Sequence, residues 1–135
     1  MKIVVKADKS NLGKIFDFVN KELSLYNCDE SVINKINIAI EEIFVNIASY
    51  AYEKDTGEVE IVCEIFEKPL KVEISFLDSG KEFNPLAYAE PDTLLALEDR
   101  KVGGLGILLT KKLMDGVKYE YVDGKNVLKI EKELK

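Results

Sequence analysis

Glu42 and Asn46 stand four residues apart in Ala39-Ile40-Glu41-Glu42-Ile43-Phe44-Val45-Asn46. On a helix that spacing puts both side chains on one face. The face lies beside the apolar stripe rather than opposite it, at the edge of a core where a cleft can open. An asparagine amide oxygen there can ligate Mg²⁺, which takes oxygen ligands and accepts few of them from protein. A carboxylate one turn earlier can orient a water or accept a proton. A solvated Glu/Asn pair has the same spacing, so the motif takes its meaning from what accompanies it.

Two further motifs accompany it. Asp78-Ser79-Gly80-Lys81-Glu82-Phe83-Asn84-Pro85 leaves the end of a strand-like run. An aspartate at a strand end can accept a hydrogen bond from an exocyclic amine, which is how a pocket selects adenine, and Gly80 lets a flat ring approach the backbone. Read alone, the same residues make a plain Asp-Ser-Gly turn. Val102-Gly103-Gly104-Leu105-Gly106-Ile107 opens a helix. Glycines in that place let backbone N–H groups and the positive helix terminus face a phosphate. Read alone, they make a hinge.

The elements that must position these motifs follow from periodicity. Ile3 to Ala7 is a short β-like run. Asp8 or Ser10 can cap a helix whose apolar residues Leu12, Ile15, Phe16, Val19 and Leu23 have helical spacing. Asn27 and Asp29 end it. A second helix is expected from about Ser31 to Tyr52, with Ile33, Ile36, Ile40, Ile43 (or Phe44) and Ile47 on one face. Val59–Ile65 and Val72–Phe76 alternate with period two, around a turn at Lys68-Pro69. From Asp78 to Gly104 periodicity disappears, and a structureless run of that length in a compact domain is usually functional. A third helix spans Gly104 or Leu105 to Met114. Strands Val117–Val122 and Asn126–Glu131 then flank Asp123-Gly124, a tight-hairpin signal. The order β-α-α-β-β-loop-α-β-β implies an α/β two-layer sandwich, with a mixed, mostly antiparallel sheet and three helices on one face.

Composition bounds the chemistry. The chain has 135 residues, enough for one domain with one core, and no linker or repeat divides it. The net charge of −6 argues against nucleic acid or an anionic membrane as partner, since both call for a basic surface. No apolar run is long enough to span a membrane. Met1-Lys2-Ile3-Val4-Val5-Lys6 carries an early charge and no small-residue cleavage site, so a cytoplasmic protein is expected. Histidine is absent, which excludes an imidazole base and, with only Cys28 and Cys63, a zinc site. The two cysteines read as reduced structural thiols.

Taken in order on these elements, the three motifs resemble the nucleotide-binding boxes of the Bergerat-fold ATPases, found in sensor histidine kinases, gyrase-type ATPases and Hsp90-type chaperones. Glu42-x-x-x-Asn46 followed by Ala51-Tyr52 is similar to the anti-sigma-factor serine/threonine kinases within that superfamily. So are Asp78-x-Gly80 followed by Phe83-Asn84-Pro85, and Gly104-Leu105-Gly106 followed by Leu113-Met114-Asp115. The resemblance covers nearly the whole chain. It implies that Asn46 holds Mg²⁺, that Glu42 is the catalytic base for phosphoryl transfer from ATP, and that Asp78 recognises the adenine amino group with Gly80 beside the ring. It implies nucleotide contacts at Phe83, Gly104, Leu105 and Gly106, and an ATP lid over about residues 86–102. Arg100, the only arginine, ends that lid and can either reach the triphosphate or pair in solvent with Glu98 or Asp99; Lys101 has the same choice. Leu94-Leu95-Ala96-Leu97 suits either packing over the nucleotide or a partner interface.

The implied partners are an anti-anti-sigma (STAS-type) protein as phosphoacceptor, a sigma factor as the sequestered protein, and a second copy of the chain in a homodimer. Two departures stand out. The family often carries Gly-Thr before the last strand, with the hydroxyl near adenine; this chain has Gly124-Lys125-Asn126, where Asn126 can either replace that contact or leave it unmade. Ser49 stands where sensor kinases often have a basic residue, and no histidine is available for autophosphorylation. The rival expectation is a non-catalytic regulatory module in which ATP gates partner binding. The presence of Glu42 favours chemistry, because a pure binder needs only Asn46, Asp78 and the glycines.

Overall fold

The computed structural model describes residues 1–50, 57–88 and 104–134. In chain order these form β1 (Lys2–Lys6), α1 (Leu12–Leu23), α2 (Glu30–Tyr50), β2 (Glu58–Glu67), β3 (Leu70–Asp78), α3 (Gly104–Leu113), β4 (Gly116–Val122) and β5 (Lys125–Glu133). α1 itself has Asn11 at its N-cap with no side-chain cap bond, and of the two candidate caps it is Asp8 that acts, one turn earlier. Its backbone is extended, and its carboxylate accepts from the Ser10 N–H at 2.9 Å, starting a short 3-10 turn (Lys9–Asn11) that runs into the helix. Ile15, Val19 and Leu23 then recur every four residues and are fully buried.

The sheet order is β1-β2-β3-β5-β4, and every neighbouring pair is antiparallel. The expected mixed sheet therefore resolves to an antiparallel one, for a reason of topology. The crossover through α3 makes β3 and β4 parallel to each other, but β5 pairs antiparallel with both and lies between them. The β4–β5 loop is the expected two-residue turn: Asp123 at φ 52° and Gly124 at φ 76° supply the two left-handed residues that a type I′ hairpin requires.

Alternation decides which face is covered. Val59, Ile61 and Cys63 of β2, Val72, Ile74 and Phe76 of β3, and Leu128 and Ile130 of β5 point inward. They form one core with the apolar stripes of α1, α2 and α3. The opposite face carries a ladder of exposed and half-exposed ion pairs, Lys2–Glu60, Lys71–Glu131 and Lys129–Glu73, at 3.3 to 3.5 Å. Such pairs add little stability, but they keep that face wet and place all three helices on the other. Neither Cys28 nor Cys63 is in a disulfide, and burial pushes Cys63 up to about 11, so it stays protonated and inert. Among the described residues no helix is long and apolar enough to cross a membrane.

The segment after β3 is less featureless than its sequence. The Asn84 side chain accepts from the Leu86 N–H at 2.9 Å and starts a 3-10 turn over Pro85–Tyr88. Leu86 packs against the core. Residues 86–88, expected at the start of the lid, thus belong to this turn. Residues 89–103, with Leu94-Leu95-Ala96-Leu97, Arg100 and Lys101, lie outside the described residues, as do Ala51 and Tyr52.

Candidate functional site

β3 ends on Asp78, and the register of the sheet sets it directly across from Asn126 of β5. Both occupy the inward parity of their strands, where Phe76 and Leu128 are the apolar neighbours. Asp78 is 5% exposed and Asn126 7%. A buried carboxylate and a buried amide at positions patterned for apolar residues must satisfy each other.

They do so through one hub. The Asn126 amide donates from Nδ2 to Asp78 Oδ1 at 3.0 Å and to the Lys81 carbonyl at 2.9 Å, with a longer approach to the Gly80 carbonyl at 3.5 Å. Its Oδ1 accepts from the Phe83 N–H at 3.0 Å and from the Tyr119 hydroxyl at 2.5 Å. One side chain thereby ties the end of β3, the Gly80–Phe83 turn and edge strand β4 together. The Gly80 N–H donates a second hydrogen bond to Asp78 Oδ1 at 2.9 Å, which folds the turn back on the carboxylate. Asp78 Oδ2 receives no hydrogen bond from the described residues.

Burial pushes the Asp78 carboxyl above its ordinary range, and the hydrogen bonds from Asn126 and Gly80 act in the opposite sense. Burial also pushes the Tyr119 phenol up, opposed by the backbone N–H of Phe83.

Asp78 and Asn126 form the floor of a cleft whose walls are apolar: Ile43 and Ile47 from α2, Ile107 from α3 and Leu128 from β5. Asn46 lines the same cleft from α2. Mostly apolar walls with a few convergent polar groups are the usual make-up of a small-molecule site. The donor set suits a nucleotide. The second Asp78 oxygen can take an exocyclic amine, and the walls can take a heterocyclic ring. Among the described residues no cluster of three or more Asp, Glu, His or Cys side chains can hold a metal. The Asn46 side chain offers one neutral oxygen, of the kind that a divalent cation such as Mg²⁺ can take.

Glu42 turns elsewhere. It is half-buried, and its carboxylate lies against Gly106, the third residue of α3. Thr110, fully buried one turn on, donates its hydroxyl to the Gly106 carbonyl at 2.9 Å and pins that turn. Of the residues expected at the site, the structure brings Asn46, Asp78 and Phe83 into one cleft, with Gly80 hydrogen-bonded to Asp78 and Glu42 against Gly106 of α3, the helix that Gly104 begins. Phe83 lines the cleft and is fixed there by its backbone N–H, which donates to Asn126. The Leu105 side chain and Arg100 lie outside what is described.

Tyr119 and the aliphatic walls were not singled out from the sequence, and Asn126 entered only as a replacement for a hydroxyl. A signal for Asn126 existed. In Asn126-x-Leu128-x-Ile130 the first inward position is polar, as Asp78 is in Val72-x-Ile74-x-Phe76-x-Asp78. Two polar residues that break apolar alternation at strand ends mark a place where strands face a cavity rather than a core. Tyr119 has no such mark, because tyrosine is an ordinary strand residue.

Comparison with known proteins shows the family and the fold. The family model of the histidine kinase-like ATPase domain matches residues 5–132. A serine-protein kinase RsbW of Bacillus thuringiensis (strain Al Hakam) is 32% identical over 98 residues, covering 71% of this chain and 61% of the relative. The protein of the same name in Bacillus cereus (strain AH820) matches to the same extent. The aligned region thus spans about three-fifths of these relatives' length. Among solved structures, the RsbU and RsbW domains of Rv1364c from Mycobacterium tuberculosis superpose with a TM-score of 0.69 at 15% identity, over 99% of this chain and 32% of that one. The histidine kinase domain of the blue-light-activated kinase of Erythrobacter litoralis gives 0.57 at 14% identity, over 96% of this chain and 62% of that one. At such identities the two structures speak to the fold alone.

Proposed function

The chain belongs to the histidine kinase-like ATPase domain family, and from that premise we propose that it is an anti-sigma-factor-type serine/threonine protein kinase. In this reading it binds Mg-ATP, transfers the γ-phosphoryl group to a serine or threonine of an anti-anti-sigma (STAS-type) protein, and sequesters a sigma factor as a cytoplasmic homodimer. The observation that carries the nucleotide site is the Asp78–Asn126 pair on the floor of an apolar cleft, with Asn46 on its wall. The similarity to serine-protein kinases supports the acceptor.

Each residue has a defined task in this reading. Asp78 accepts the adenine amine through its second oxygen. Gly80, bonded to the first oxygen, brings its backbone beside the ring. The side chain of Asn46 offers an oxygen to Mg²⁺, which when bound neutralises charge on the phosphates. The glycines at the start of α3 face the phosphates with backbone N–H groups. Glu42 accepts the hydroxyl proton of the acceptor residue as that oxygen attacks the γ-phosphorus, and the bond from that phosphorus to the β–γ bridging oxygen breaks to release ADP. Such transfer is mostly positioning and electrostatics, with one carboxylate as base.

The test is incubation of the chain with γ-labelled ATP, Mg²⁺ and a serine-bearing STAS-type regulator from the same genome. Label should pass to the regulator, and Glu42→Ala should abolish transfer while leaving nucleotide affinity intact. Tight nucleotide binding without transfer by the wild type would sink the kinase and leave an ATP-gated binding module. Failure to bind ATP would overturn both.

A further inference from the structure

Gly106 lies inside a helix, where glycine is less favourable than alanine, so its lack of a side chain calls for a reason. A Cβ atom placed on its backbone would stand 2.5 Å from Glu42 Oε2, 3.4 Å from Glu42 Cδ and 3.6 Å from Glu42 Cβ. The last two distances are ordinary contacts. The first is well inside the optimal separation of non-bonded heavy atoms, roughly 3.5 to 4.0 Å.

Neither backbone is free to relieve that overlap. The Thr110 hydroxyl holds the Gly106 carbonyl at 2.9 Å, and Ile107, the next residue, is buried and forms a wall of the cleft. On the other side, Glu42 is followed by Ile43 and Phe44, both buried in the core. Close packing of this kind transmits a misfit to the one part able to move, the Glu42 carboxylate.

We propose that Gly106 is a positioning residue for Glu42: its missing side chain is the space that holds the carboxylate against the first turns of α3. This rests on the reading of Glu42 as base, and beside the phosphate-facing backbone N–H of Gly106, which an alanine keeps, it gives the missing side chain a task of its own. A glycine needed for phosphate approach acts on nucleotide affinity. A glycine that seats the base acts on the rate once nucleotide is bound.

The experiment uses the full chain labelled with ¹³C and ¹⁵N, in the wild type and in Gly106→Ala. The wild type should show a nuclear Overhauser contact between Gly106 Hα and the Glu42 Hγ protons, and the Glu42 carboxyl carbon should shift in the variant. With Mg-ATP and the STAS-type acceptor, single-turnover transfer should fall by at least about tenfold while the nucleotide Kd stays within about twofold, because misplacing a reacting group by an ångström is costly in rate. Glu42→Asp, one methylene shorter, should slow the wild type yet recover part of the transfer lost in Gly106→Ala. An absent Overhauser contact, an unmoved carboxyl resonance, or a loss of nucleotide affinity in place of rate overturns the assignment. If the wild type transfers no phosphoryl group, the kinase reading fails on its own account, and the two resonance measurements still decide the placement of Glu42.

Discussion

Replacing Asn126 by alanine tests whether one amide holds the nucleotide floor together. The side chain is nearly buried, and its loss removes a partner from the Phe83 N–H, the Tyr119 hydroxyl, the Lys81 carbonyl and Asp78 Oδ1. A neutral hydrogen bond contributes about 1 kcal/mol net, and one to a charged group about 1.5 to 3 kcal/mol. Tyr119 is half-buried and the cleft is open, so water recovers part of this. The expected cost is about 2 to 4 kcal/mol at neutral pH. The cost should also depend on pH, in a defined direction. Asp78 has a folded-state pKa raised above its unfolded value, so its ionised form penalises folding at neutral pH, and the penalty is relieved as pH falls through the raised value. Asn126 lowers that pKa, so without it the carboxyl moves further up and the penalty grows. Urea denaturation of both proteins, analysed by linear extrapolation at neutral and at mildly acid pH, should show the larger difference at neutral pH. A difference below about 0.5 kcal/mol, or one that does not shrink in acid, refutes the hub.

Two further outcomes are expected. Asp78→Asn keeps an acceptor for the Gly80 N–H and the Asn126 amide while removing a buried charge, so the urea midpoint at neutral pH should hold or rise. The same variant points a donor at the exocyclic amine and should weaken ATP by about 1.5 to 3 kcal/mol in a titration; loss of stability with unchanged affinity would contradict that role. For the thiols, a pKa of about 11 leaves Cys63 roughly a thousandth ionised at mildly alkaline pH, so a disulfide reagent on native protein should modify half-buried Cys28 first and Cys63 only on unfolding. Equal fast reaction of both would contradict the burial of β2's inner face.

Much of the site was legible because its carriers break local rules. Glu42 and Asn46 are polar residues flanking an apolar helical stripe. Asp78-x-Gly80 interrupts a strand, and the glycines open a helix that would form more readily without them. Asn126 was legible only as an exception in an alternating strand, and its meaning depends on lying across from Asp78. Sequence gives no sign of that pairing, because β5 is inserted between β3 and β4 rather than added in chain order. Tyr119 and Leu128 follow the same logic: each is an ordinary strand residue until the sheet order brings it to the cleft.

By itself the sequence determined the elements, their inward faces and the three motifs, since periodicity and backbone permission act within a few residues along the chain. Tertiary structure alone decided the antiparallel order, the saturation of the Asn126 amide by the Gly80–Phe83 turn and Tyr119, and the seat of Glu42 against Gly106. Those contacts join residues 7 to 64 positions apart. Whether such groups meet is set by how helices and strands pack around one core, which no local pattern encodes.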